Sequence, residues 1–159
     1  MARISRFVAV AGFVLLAACG SDSDDTSSTS TTAGSDGGAG NACPVESCSI
    51  TITEVAASGD ELEITWDANF DPDLSRNHIH VYWSTFTPAE VSNDAETTHG
   101  VTQGVWVPTD ANPVFTTEGA VSTAERGDAT EVCVTAADRD HNVLDVSIQD
   151  CTDVSDLVA

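Results

Sequence analysis

Lysine is absent from the 159-residue chain, and its whole basic charge rests on Arg3, Arg6, Arg76, Arg126 and Arg139. Against these stand 26 aspartates and glutamates, for a formal net charge of -21. Nucleic acid is excluded as a partner, because neutralising phosphates needs clustered Lys and Arg. Polybasic attachment to anionic lipid is excluded for the same reason. Catalysis through a lysine amine is excluded outright. Methionine occurs only as Met1, and no cysteine is closely followed by histidine, so the donor set of a blue-copper site is missing. Gly-x-Ser-x-Gly, Walker, His-Glu-x-x-His and Rossmann patterns are missing too, and no residue is assigned as catalytic. The longest apolar run, Phe7 to Ala18, has twelve residues, short of the roughly 20 a membrane-spanning helix requires.

That run follows a positively charged start, Arg3 and Arg6, and ends at Leu16-Ala17-Ala18-Cys19. A charged n-region, an apolar h-region and a small-residue cleavage site make an export signal rather than part of a fold. The last four residues resemble the lipobox of bacterial lipoproteins. The resemblance implies cleavage before Cys19 and a diacylglycerol on its thiol, which makes residues 1–18 a signal peptide. Two or three acyl chains exceed the one-chain threshold for stable anchoring. The expected location is therefore the extracytoplasmic side of a cell membrane or outer membrane, with lipid as the membrane contact.

Residues 19–42 hold the lipidated cysteine and a run of Ser, Thr, Gly and Asp with no large apolar side chain. Nothing there offsets the entropy of ordering, so the sequence predicts a flexible tether, with a root-mean-square span of roughly 25 Å. Residues 43–159 then form one domain, since ~115 residues suffice for one hydrophobic core and not for two.

Within that domain the periodicity is that of strands. Ile50-Thr-Ile52-Thr alternates, Ser58-Gly59-Asp60 turns the chain, and Leu62-Glu-Ile64-Thr-Trp66 alternates back. At His78-Ile-His80-Val-Tyr82-Trp83, Ile79, Val81 and Trp83 share one face, and His78, His80 and Tyr82 the other. Further strands are expected at 104–107, 114–117, 119–122, 130–137 and 143–151, and one short helix at 88–95. Many short strands with turn signals every eight to twelve residues argue an all-β antiparallel sandwich. The segments Glu61–Asp67, Ile79–Trp83 and Val132–Asp140 resemble strands B, C and F of a fibronectin type III or immunoglobulin-like domain. The tyrosine that marks the corner before strand F in such domains is absent here.

Setting Cys19 aside leaves Cys43, Cys48, Cys133 and Cys151, an even number in an exported chain. A hairpin turning near Asn142 puts Cys133 opposite Cys151 and Ala136 opposite Ile148. Both cysteines then face away from Val132 and Val134. Cys43 and Cys48 would close a small loop, and this pairing is preferred to the two crossed alternatives because disulfide reach holds Cα atoms within roughly 7 Å.

Two groups of residues carry chemistry. His78 and His80 project from one strand face, where a transition metal such as copper or zinc can sit, with His99 or His141 completing the site. His78-Ile79-His80 resembles one motif of copper/zinc superoxide dismutase, but no counterpart of that family's bridging histidine or zinc aspartate accompanies it. Asp67, Asn69, Asp71 and Asp73 recur at every second position in one loop, and Asp138, Asp140 and Asn142 in another, a spacing of hard oxygens that suits calcium. Solvent-facing strand histidines and acidic turns are also ordinary surface features, and Arg126-Gly127-Asp128 reads as a turn. The sequence thus favours a non-catalytic, lipid-anchored sandwich with no obligatory cofactor, binding a protein or glycan partner or supporting the envelope. A metal-binding protein is the second reading.

Overall fold

The structure is a computed structural model, and the residues it describes are Cys43, 47–102 and 104–158. The leader, Cys19 and the tether lie outside the described residues. Strand β1 (Ile50–Ser58) runs into β2 (Glu61–Ala68) through a two-residue turn. Gly59 takes φ 66° there, a backbone state that a primed hairpin turn requires and glycine supplies without steric cost. The alternation expected in β2 is realised, with Leu62, Ile64 and Trp66 fully buried and Glu63 and Asp67 exposed. Strand β5 (Val114–Thr116) pairs with β2 and completes a three-stranded antiparallel sheet in the order β1-β2-β5.

The second sheet has four antiparallel strands in the order β4-β3-β6-β7: β4 is Trp106–Thr109, β3 Asn77–Trp83, β6 Glu131–Asp138 and β7 Gln149–Asp153. The chain is therefore an all-β sandwich of two antiparallel sheets. Leu62, Ile64, Trp66 and Phe115 from the first sheet meet Ile79, Val81, Trp83, Val132, Val134 and Ala136 from the second. Trp66 and Phe115 stack at 6.0 Å within this core, the offset separation aromatic pairs prefer. Asp150 Oδ2 accepts a 2.7 Å hydrogen bond from the Ile52 backbone and ties the two sheets along the β1/β7 side.

Both preferred disulfides are present, Cys43–Cys48 and Cys133–Cys151. Cys133 lies directly opposite Cys151 across β6 and β7, on the face away from Val132 and Val134. The register beyond them differs from expectation. Cys133, Val134 and Thr135 pair with Cys151, Asp150 and Gln149, but Ala137 bridges Val143 and the Ala136 carbonyl accepts from Leu144 rather than facing Ile148. Residues 144–148 bow out of the hairpin. The expected strand at 143–151 shortens to Gln149–Asp153, and that at 119–122 becomes a 3-10 turn, Gly119–Val121, with Gly119 at φ 55°. The expected helix at 88–95 appears as a 3-10 turn, Pro88–Val91, followed by the single helical turn α1 (Ala95–Thr98).

The departure that matters most concerns β3. All seven of its residues are buried, on both faces. The inner face enters the sandwich core, as the alternation implies. The outer face is covered by the chain between β3 and β4, which lays Val91 over Tyr82 and Cys133, and by the turn between β6 and β7.

Candidate metal centre

Beneath that cover His78 and His80 have no exposed surface. They are two residues apart on one strand, so their side chains leave the same face roughly 7 Å apart at Cβ and can converge at their tips. The Nε2 atoms stand 3.1 Å apart. A third imidazole comes from 61 residues further along: His141 Nδ1 lies 2.9 Å from His78 Nε2. All three ligand nitrogens fall within 4.8 Å of one another. Among the described residues this is the one group of three or more His, Cys, Asp or Glu donors gathered in this way.

The acidic turn between β6 and β7 is what delivers His141. Asn77 pairs with Asp138 across β3 and β6, so the turn begins level with His78. Asp138 Oδ1 accepts from the backbone of Asp140 at 2.8 Å and of Asn142 at 2.9 Å, and the Asp138 carbonyl accepts from His141 at 2.9 Å. This winding places His141 at φ 64°, in the left-handed region that His, Asn and Asp tolerate better than most residues. Its ring meets His78 edge-on at 4.7 Å.

His80 is held from two sides. Its Nδ1 is 2.8 Å from the Val91 carbonyl, an acceptor only, so Nδ1 carries the proton and Nε2 presents its lone pair. The Trp106 indole from β4 stacks on the ring at 3.8 Å and 12°, and reaches His141 at 5.2 Å. A backbone carbonyl on the far nitrogen of a histidine is the usual partner that fixes tautomer and orientation in a metal ligand. Among the described residues, His78 Nδ1 is buried without a hydrogen-bond partner.

Burial, and then the neighbouring imidazoles, push the His78 pKa down to about 4 and that of His80 down to about 3. Asp138, Asp110 and Asp73 pull His78 the other way, less strongly. Both rings are thus neutral near pH 7, the state in which imidazole ligates. Hydrogen bonding alone does not satisfy the arrangement. His78 Nε2 has one in-plane position but faces two other ring nitrogens, and the His80 nitrogen it faces is a lone pair. One proton serves one of these contacts. A cation beside His78 Nε2 would relieve both contacts without a proton in either. With metal–nitrogen bonds of 2.0–2.1 Å, separations of 2.9 and 3.1 Å correspond to angles of about 90–100° at the ion.

The other residues expected to ligate do not join this group. His99 is exposed and caps the C-terminus of α1. Asn69 accepts from Ser49 and donates to Ser47, bracing the chain beside the Cys43–Cys48 loop. Asp73 Oδ1 accepts from both the backbone and hydroxyl of Ser75, which hold its carboxyl below the usual range. Asp67 and Asp71 are exposed, and Arg139 forms an exposed ion pair with Asp140 at 3.7 Å. Sequence reasoning missed Trp106 and the Val91 carbonyl, because only the register of β4 on β3 and the path of the covering segment bring them in. No family model, curated protein or solved structure matches the chain.

Proposed function

We propose that the chain is an exported, lipid-anchored protein whose sandwich domain binds one transition-metal ion, copper(II) ahead of zinc, through His78, His80 and His141. The observation that carries this reading is the approach of His141 Nδ1 and His80 Nε2 to within 2.9 and 3.1 Å of one buried nitrogen, His78 Nε2. The donors are all imidazole, since the described cysteines are disulfide-bonded and methionine occurs only at Met1. Imidazole sites follow the order of affinity that peaks at copper(II), and angles near 90° suit its tetragonal preference better than the tetrahedral preference of zinc. The role is carriage or sequestration rather than turnover. His78 and His80 have no exposed surface at which a bound ion would meet a substrate.

Location rests on the lipobox-like Leu16-Ala17-Ala18-Cys19 and is supported by two disulfides, which persist in oxidising compartments. A fibronectin type III-like arrangement is the reading of the sandwich that we favour. Its support is that β2, β3 and β6 fall where strands B, C and F are expected, β2 in one sheet and β3 beside β6 in the other.

One preparation tests both halves. Protein purified from membranes, loaded with copper(II) and dialysed should hold one equivalent by elemental analysis, and its N-terminal peptide should carry a diacylglycerol on Cys19. Retention of no copper or zinc, or of calcium alone, would refute the metal reading. An unmodified N-terminal peptide that still includes residues 1–18 would refute the anchor.

A further inference from the structure

The segment Thr87–His99 is short of reasons to fold by itself. It consists of one 3-10 turn and one helical turn, lengths at which local hydrogen bonding does not offset nucleation. At its start, Glu90 Oε2 accepts from the Thr87 backbone and hydroxyl, both at 2.8 Å. Beyond that it is held by apolar burial of Val91 and Ala95, and its polar links to the chain below include three beside the histidines. The Val91 carbonyl accepts from His80 Nδ1 at 2.8 Å, the Asn93 backbone donates to the His141 carbonyl at 2.8 Å, and the Ser92 hydroxyl accepts from the Val143 backbone at 3.1 Å. Two of these links end on residues that supply ligand nitrogens, and the third ends two residues beyond His141. Side-chain charge on the segment comes from Glu90, Asp94 and Glu96, with His99 as its one basic residue, so its sign attracts a cation.

Resting on the metal reading above, we propose that Thr87–His99 is a latch over the histidine centre: its lifting opens the way for an ion to enter or leave, and an ion in place locks it shut. An ion that fixes His80 and His141 also fixes the Val91 and Asn93 links to them. Coupling of this kind is reciprocal, so a latch tightened by the metal must in turn slow its release. Two turns of four residues each give the segment little regular structure of its own, the condition in which local opening precedes global unfolding.

Hydrogen exchange of the full mature chain, with and without one equivalent of copper(II), reads the lock directly. The amides of Asn93 and Val143 should exchange about tenfold or more slowly with copper bound, while those of the β1–β2 hairpin should not change. Ser92→Ala removes one fastening and touches no ligand, so copper transfer to excess chelator should become several-fold faster. If that variant does not fold, Glu90→Gln, which loosens the exposed start of the segment, replaces it. Copper bound one to one with unchanged exchange over residues 91–99, or with an unchanged release rate in the variant, overturns the latch and leaves the metal centre standing. Failure of copper to bind at all overturns both.

Discussion

His141→Asn should weaken copper(II) binding on the order of 100-fold or more while leaving the fold intact. Loss of a partner behind a ligand already costs 10–100-fold in affinity, and here a ligand itself is lost. Asparagine is the replacement of choice because His141 sits at φ 64°, and Asn accepts that backbone state where alanine would strain it. His141 is half-buried on a turn, so the variant leaves the sandwich core filled and its stability should stay within about 1 kcal/mol of the parent. His99→Asn is the matching control. That histidine is exposed at the end of α1 and outside the cluster, and its replacement should leave affinity unchanged. Titration calorimetry on the three proteins decides the matter, and equal affinities for His141→Asn and the parent would sink the three-histidine site.

The metal-free domain should lose stability as pH falls from about 6.5 towards 4.5. In the unfolded chain both histidines take up protons near the ordinary value of 6.5, whereas in the fold His78 waits until about 4 and His80 until about 3. Between those limits the unfolded state binds more protons, so stability is full above the unfolded pKa and declines with acidification. At about 1.4 kcal/mol per unit of difference, two units of acidification cost the pair on the order of 3–5 kcal/mol, a large share of a small domain's stability. Asp73, Glu90, Asp145 and Asp153, whose carboxyls are lowered by hydrogen bonds from neighbouring Ser and Thr, titrate below this window. Urea unfolding at pH 7.5 and 4.5 in the presence of a chelator measures the difference. A curve that is flat or rises towards acid would contradict burial of neutral histidines.

The sandwich was legible because its central strands obey a period of two with one apolar face. Leu62, Ile64 and Trp66 in β2 and Ile79, Val81 and Trp83 in β3 point inward as their spacing demands. The Cys133–Cys151 pair was expected from a uniform hairpin turning near Asn142; the pair is present, but the turn bridges Ala137 to Val143, and the residues between Val143 and Gln149 take up the offset. The same hairpin shows where local reasoning stops. Val143 donates to Ser92 and Leu144 to Ala136, and these contacts pull residues 144–148 out of the ladder in a way no pattern within 130–151 encodes.

The site divides along similar lines. That His78 and His80 share a face is a matter of spacing; that the face is buried depends on a chain excursion of some twenty residues folding back over it. The alternating acids at 138–142 were visible as a motif suited to calcium. Among them, the Asp138 carboxylate accepts from the Asp140 and Asn142 backbones and winds the turn that carries His141 towards β3. Pairing of Asn77 with Asp138, a contact 61 residues apart in sequence, places that turn beside His78. Trp106 left no signal at all, because its stacking on His80 exists only through the β3–β4 register.

Pulsed EPR of the copper(II)-loaded protein counts the imidazole nitrogens coupled to the ion and so tests the three-histidine centre most directly. Three coupled imidazoles, falling to two in His141→Asn, is the result expected from His78, His80 and His141 converging as they do. A spectrum dominated by oxygen ligands with one imidazole or none, and unaltered by that substitution, would contradict it.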